Sequence, residues 1–330
     1  YGQGRINPAY FYGVFDPNDM RRDVSITMTG SNGKGVEKLI PFVPNSKAEG
    51  GGLTLNKWDE NRQANPWVAA QRKSGINGPY MRMSEVYLGY AEVCAALGDV
   101  VTGKQYLKTV RERSFPQGLA NTDAFIASFG NDLVRAIIEE RGFEYAGEGD
   151  RRWTLIRSGY LPEDIKRIKD MTKAMMDGLA TKGYYEFENG NIISAYIWTK
   201  LVDAKTIYGH RLTAQCPTDK VNDPVLYPGW RGQKDNWEEM GLNYGSSTPA
   251  TNLAIKGLFE IVSEEEAASL ESQGYTKVNW GIDLVDNRDE YDKYLFWDYD
   301  YVSAPIYLWP FTPNVMAAGG FTNGYGFKQE

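Results

Sequence analysis

The feature that most limits the fold is helical periodicity between Tyr80 and Ser114. In MRMSEVYLGYAEVCAALGD, the residues Met83, Val86, Tyr87, Tyr90, Cys94 and Leu97 recur at helical spacing, and the run stops at Gly98. A second amphipathic run, DVVTGKQYLKTVRERSFP, follows at once and ends at Pro116. Two helices joined at Gly98-Asp99 make a helical hairpin. The spacing matches a tetratricopeptide repeat, a pair of about 34 residues whose helices touch through small side chains. Ala91 takes the small position of the first helix, after bulky Tyr87 and Tyr90. Gly103, Leu107 and Val110 take the small, bulky and last positions of the second, and Pro116 falls one place late.

A third helix is expected from Asp123 to Ala146, broken at Gly147 and Gly149, with a short helix from Arg151 to Ser158. Between them lies IIEERGFEYAGEGDRRWTLIRSGYL, which crowds acids and bases into a few turns. Such a block either does proton chemistry or holds helices together. Glu140 and Glu144 stand one helical turn apart, with Arg141 and Glu148 close by. Arginine forks hold carboxylates in fixed geometry, and neutralised partners exchange protons poorly. Glu140, Arg141, Glu144, Glu148 and Arg152 are therefore read as a structural brace.

The rest divides into segments of one domain. Residues 1–80 are turn-rich, with a hairpin expected where Val24–Thr29 and Val36–Phe42 flank SNGKG. Residues 81–160 hold the helices. Residues 161–250 begin with an amphipathic helix over Pro162–Ala180, with Ile165, Ile168, Met171, Met175 and Leu179 on one side, and continue as an aromatic, loop-rich insertion. In it GYYEFENGNIISAYIWTK reads as strand and turn, and QCPTDKVNDPVLYPGWRGQKDNWEEMG as loop. Residues 251–330 carry helices expected near Leu253–Ile261 and Ser263–Gln273, the latter with a Ser263/Glu266 capping box, and then a tail. Asp283, Asp286, Asp289 and Asp292 recur every three residues; without the EF-hand glycine and terminal glutamate they read as a solvated helix face.

Composition excludes several functions. A net charge of -7 opposes binding to a nucleic-acid backbone. No apolar run is long enough to span a membrane. His210 alone builds no multi-histidine metal site, and Cys94 and Cys216 give no zinc spacing or disulfide framework, so no cofactor or metal is expected. The 22 Tyr, 9 Trp and 13 Phe lie in good part among Gly, Asn and Pro. Aromatic faces on loops suit flat, partly apolar ligands such as sugar rings or peptides. Tyr10, Tyr12, Trp58, Trp67, Trp230 and Trp237 are the candidate ligand contacts, with Arg231 and Asn236 as polar partners.

Three blocks together resemble the SusD/RagB family of nutrient-binding proteins. The first helix carries its "R-x-x-E-x-x-L-x-x-A-E" pattern through Arg82, Glu85, Leu88, Ala91 and Glu92. LKTVRERS carries "N-x-V-R-x-R" through Val110, Arg111 and Arg113, with Lys108 where the motif has Asn. The acid–base block matches through Glu140, Arg141, Glu144, Glu148, Gly149, Arg152, Leu155, Arg157 and Gly159, with Thr154 in place of the usual Asp. The tail YLWPFTPNVMAAGGFTNGYGF resembles the family ending, with glycines in place of its Asn-Pro pairs. The resemblance implies a mainly α, SusD-like fold of tetratricopeptide-type hairpins with extended loop-rich regions and a few short strands, of which this chain is the C-terminal portion. It also implies a non-catalytic protein held at the bacterial outer-membrane surface by a lipid on the missing N-terminal part, capturing a glycan and passing it to a SusC-type TonB-dependent transporter. A glycoside hydrolase on a helical scaffold, a peptide or other nutrient binder, and a plain interaction scaffold are the competing readings.

Overall fold

The computed structural model describes residues 6–31, 37–39, 52–55, 57, 78–203, 251–288 and 311–320. Its framework is mainly helical and starts from the expected hairpin, α3 (Met83–Ala96) and α4 (Val100–Glu112), which follow two short helices, α1 (Pro8–Val14) and α2 (Arg21–Ser25). Gly98 turns the chain with a φ of 89°, and Asp99 caps α4 by accepting a hydrogen bond from the Thr102 amide. A Cβ on Gly103 would stand 3.0 Å from the Ala91 carbonyl oxygen, so any larger residue would push the two helices apart by a few tenths of an ångström.

The hairpin buries Leu88, Ala91, Cys94, Leu107 and Val110, while Met83, Val86, Tyr90 and Leu97 face outward. Helix α3 has two adjacent apolar stripes, and periodicity alone does not choose between them. The choice is made by α4 and by α6, which cover the stripe through Ser84, Leu88 and Ala91.

The expected single helix over 123–146 is two: α5 (Thr122–Ala127) and α6 (Leu133–Glu144). Gly130 and Asn131, with φ of 65° and 66°, put two left-handed residues in the middle of the apolar pattern. Asp132 then restarts the helix by accepting from the Arg135 amide at 2.9 Å. Beyond the glycine break come α7 (Asp150–Ser158) and the long α8 (Leu161–Lys182), close to expectation. Met175, Met176 and Leu179 of α8 pack with Phe11 and Phe15, Phe143 of α6, and Trp280 in the larger core. A smaller core joins Leu88, Leu107, Val110 and Ile137, so α6 serves both.

The strands are short. β1 (Ile26–Thr27) pairs with β4 (Thr54–Leu55), and β2 (Thr29–Ser31) pairs with β3 (Glu37–Leu39) in the expected hairpin, register Ser31 to Glu37. Val24, expected in its first strand, belongs to α2. The aromatic stretch gives the hairpin of β5 (Tyr184–Glu186) and β6 (Ile192–Ser194), then β7 (Tyr196–Asp203). β7 is the middle of a three-stranded antiparallel sheet between β8 (Thr251–Lys256) and β9 (Thr276–Asn279). The segment expected as a helix near Leu253–Ile261 therefore begins as a strand: pairing with β7 overrides a weak helical pattern, and Gly257, at φ 79°, ends it. α9 (Glu264–Ser272) has the expected capping box, and α10 (Gly281–Asp286) and α11 (Pro313–Gly319) complete the described elements. Asp283 on α10 is half-buried, with its carboxyl pushed upward by burial; Asp289 and Asp292 lie outside the described residues.

Helix α6 is buried along nearly its whole length, its charges included. Glu139 accepts from Arg151 and Arg167, each at 3.0 Å, and both arginines also reach Asp164 at 2.8 and 2.5 Å. Glu140 accepts from Arg21 at 2.6 Å and Arg111 at 2.9 Å. Arg141 donates to Asp150 at 2.6 Å, to Glu85 at 3.1 Å and, through Nε, to Thr154 at 3.2 Å. Thr154 donates in turn to Asp150, so the hydroxyl serves where the family motif has a carboxylate. Glu144 is held by Arg82 at 2.6 Å, Arg21 at 3.2 Å and Arg113, and Glu148 by Arg82 and Lys57. The glutamates of the block are thus paired with arginines from other elements, not with Arg141.

Burial alone would raise the Glu144 carboxyl, but Arg21 and Arg113, with the hydrogen bond from Arg82, hold it down at about 2. Glu144→Gln is expected to cost about 3–5 kcal/mol in urea unfolding, since three guanidinium groups lose a buried counter-charge. Asp170→Ala at the exposed Lys166–Asp170 pair should cost less than about 1 kcal/mol. A folded-state pKa below the unfolded one stabilises above the unfolded value. That contribution is lost as pH falls from 4.5 toward 2. The urea midpoint of the wild type should fall through that window, and that of Glu144→Gln should fall less. Asp132→Ala removes one cap and should cost about 1 kcal/mol.

Candidate functional site

Two clefts lie on either side of the ring formed by Glu139, Arg151, Asp164 and Arg167. The larger, about 740 Å³, opens between the end of α1, α5, α8 and the β5–β6 hairpin. Its walls are aromatic: Phe125 from α5 and Phe129 just beyond it, Phe143 from α6, and Tyr185 and Phe187 from the hairpin. Phe125 and Phe129 meet edge to face at 5.2 Å, as do Tyr185 and Phe187 at 4.9 Å. The Arg111 guanidinium lies 3.8 Å from the centre of the Phe125 ring and is 3% exposed. Polar groups edge the opening: Asp16, Asn121, Ser128, Asp170, Glu188 and Asn189. Gly13 lets α1 pass close to Met171 and Phe187, where a Cβ would collide with both.

The smaller cleft, about 570 Å³, is more apolar, lined by Ile6, Phe11, Ala146 and Ile168, with Leu55 and the half-exposed Trp153 at its edge. Arg151 and Arg152 stand in its wall. The four-charge ring separating the clefts pairs two arginines with two carboxylates. Burial would lower the Arg151 and Arg167 guanidinium groups, but Glu139 and Asp164 hold both above their ordinary value, and Asp164 is held below its own against burial. Guanidinium groups keep their protons, and carboxylates pinned between them make poor acid–base catalysts. The chemistry this arrangement supports is fixed walls and hydrogen bonding.

Tyr10 and Tyr12, expected on a loop, lie on α1. The signal for this helix is Asn7-Pro8: Asn7 caps by accepting from the Ala9 amide, and Pro8 takes the first turn. Tyr12 is 2% exposed and meets Phe259 edge to face at 5.1 Å, so it offers no ring face to a ligand. Tyr10 lines the smaller cleft, but its hydroxyl is sealed from solvent and pushed up to about 12 by burial. Trp58, Trp67, Trp230, Trp237, Arg231 and Asn236 lie outside the described residues, as do His210 and Cys216. Sequence reading did not single out the aromatic walls of the larger cleft, because Phe125 and Phe129 read as a helical core face and Tyr185 and Phe187 as strand positions. Among the described residues no group of acidic, histidine or cysteine side chains is arranged to hold a metal ion, and no helix is long and apolar enough to cross a membrane.

Comparison with known proteins bears on what such a scaffold serves. The SusD-like protein P25 of Formosa agariphila is 28% identical over 160 residues, 48% of this chain but only 26% of that protein's length. No solved structure gives a significant match. The sequence profile of the SusD family matches residues 7–311, nearly the whole chain. The chain belongs to the SusD family.

Proposed function

We propose that this chain is part of a cell-surface protein that binds glycans without cleaving them and hands them to a SusC-type TonB-dependent transporter. Family membership over residues 7–311 carries this reading. The buried acid–base block is consistent with it, because its carboxylates are committed to ion pairs that hold helices. Anchoring would come from a lipid, at the outer face of the outer membrane. Ligand contact would combine ring stacking on loop aromatics with hydrogen bonds to sugar hydroxyls, and Trp58, Trp67, Trp230 and Trp237, with Arg231 and Asn236, are the proposed contacts.

Titration of tryptophan fluorescence against an oligosaccharide panel, with a reducing-sugar assay on the same samples, tests this. Saturable quenching without new reducing ends is expected; new reducing ends would establish a hydrolase. Trp58→Ala and Trp230→Ala should each weaken binding by about 1–3 kcal/mol, the scale of one buried aromatic side chain, with the far-ultraviolet circular dichroism unchanged. Unchanged affinity in both would remove the loop tryptophans from the site.

A further inference from the structure

We propose that the larger cleft is a saccharide subsite selective for neutral over acidic sugars, an assignment that rests on the glycan-binding reading above. Four observations lead there. The first is size: about 740 Å³ falls within the ~300–1,000 Å³ of small-molecule sites. The second is that its walls are formed by described residues, several of them fixed from behind. Phe143 and Phe187 belong to the main core, and Glu139 and Arg167 belong to the four-charge ring. A site built on such supports is pre-organised, and little ordering is needed on binding.

The third observation is the pairing of surface types. Half-buried Phe125, Phe129 and Tyr185 supply apolar ring surface, while Asp16, Asn121, Glu188 and Asn189 supply polar groups at the opening. A pyranose has this duality, with C–H faces that pack on aromatic rings and hydroxyls around its edge that donate to carboxylates.

The fourth observation is charge, and it selects among sugars. The cleft holds two guanidinium groups, and both are already neutralised: Arg111 by Glu140, and Arg167 by Glu139 and Asp164. The carboxylates at the opening have no matching cations in the lining. Asp170 shares Lys166 at the surface, and among the described residues Asp16 and Glu188 form no ion pair. A uronate or sulfate entering here meets carboxylates without a free guanidinium to receive it, and like charges brought together disfavour binding. Neutral hydroxyls meet acceptors.

Isothermal titration of the whole chain with maltotriose, cellotriose, laminaritriose and xylotriose, and with trigalacturonate as the acidic probe, tests this. Ala174→Trp on α8 and Ser128→Trp beyond α5 fill the cleft from opposite sides at exposed positions, so a fold defect in one leaves the other informative. The expected result is binding of at least one neutral trisaccharide, weakened at least tenfold by either substitution with an unchanged melting temperature, and no binding of trigalacturonate. Glu188→Lys combined with Asp170→Asn should make trigalacturonate binding measurable where the wild type shows none. Neutral binding undiminished by both tryptophan variants would overturn the cleft assignment while leaving glycan capture standing. Wild-type preference for trigalacturonate, abolished by Ala174→Trp, would overturn the selectivity. Absence of any saccharide binding would overturn both this inference and the function on which it rests.

Discussion

The rest of the structure depends on the burial of four charges crowded into the C-terminal half of one helix. α6 carries Glu139, Glu140, Arg141 and Glu144 into the interior, and their desolvation would be prohibitive without partners. Each charge is met from a different direction: Glu139 by α7 and α8, Glu140 by α2 and α4, Arg141 by α3 and α7, and Glu144 by α2 and by the arginines flanking α3 and α4. Apolar contacts tolerate sliding, whereas a guanidinium that must reach a given carboxylate oxygen does not. The network therefore fixes where five helices sit around α6, at a cost in desolvation that a purely apolar core would avoid. Arg21 shows the coupling most directly, since it touches Asp19, Glu140 and Glu144 and ties the N-terminal segment to residues more than a hundred positions away.

That placement creates the clefts. The ring of Glu139, Arg151, Asp164 and Arg167 is the partition between them, with Glu139 and Arg167 facing one and Arg151 and Asp164 the other. A wall of two arginines paired with two carboxylates carries no net charge of its own. It contributes shape to both cavities and leaves their polarity to be set elsewhere, by Trp153 and Leu55 on one side and by the edge carboxylates on the other.

How much of this was legible in the sequence follows from the range of each interaction. The hairpin of α3 and α4 was readable because Ala91, Gly103 and Leu107 act across neighbouring helices at fixed spacing. The β5–β6 hairpin, α8 and the Ser263/Glu266 cap were readable for the same local reason. The break at Gly130-Asn131 was missed because Phe125, Phe129, Leu133 and Ile137 keep helical spacing through it. β8 was missed because pairing with β7 is non-local. The acid–base block announced a brace, but its partners Arg21, Asp164 and Arg167 lie outside it, where nothing in their own neighbourhood marks them. The larger cleft was illegible for a related reason: its aromatics come from α5, α6 and the β5–β6 hairpin, and only the packing around α6 brings them together.

The proposed binding role is in keeping with the ion pairs around α6. Proton transfer needs a group poised near neutrality, with its pKa free to move as charge develops in the substrate. Here the buried carboxylates are driven the other way, Glu144 to about 2 and Asp164 downward, and the arginines beside them upward. Moving a proton within this network would unbalance several ion pairs at once and loosen the helices they position. On the proposed reading, recognition falls to surfaces the network does not use: the aromatic walls and the carboxylates at the cleft edge. A scaffold whose charged groups are committed to holding its shape can change the ligand it accepts by altering such edge residues as Asp16, Asp170 and Glu188, without disturbing α6.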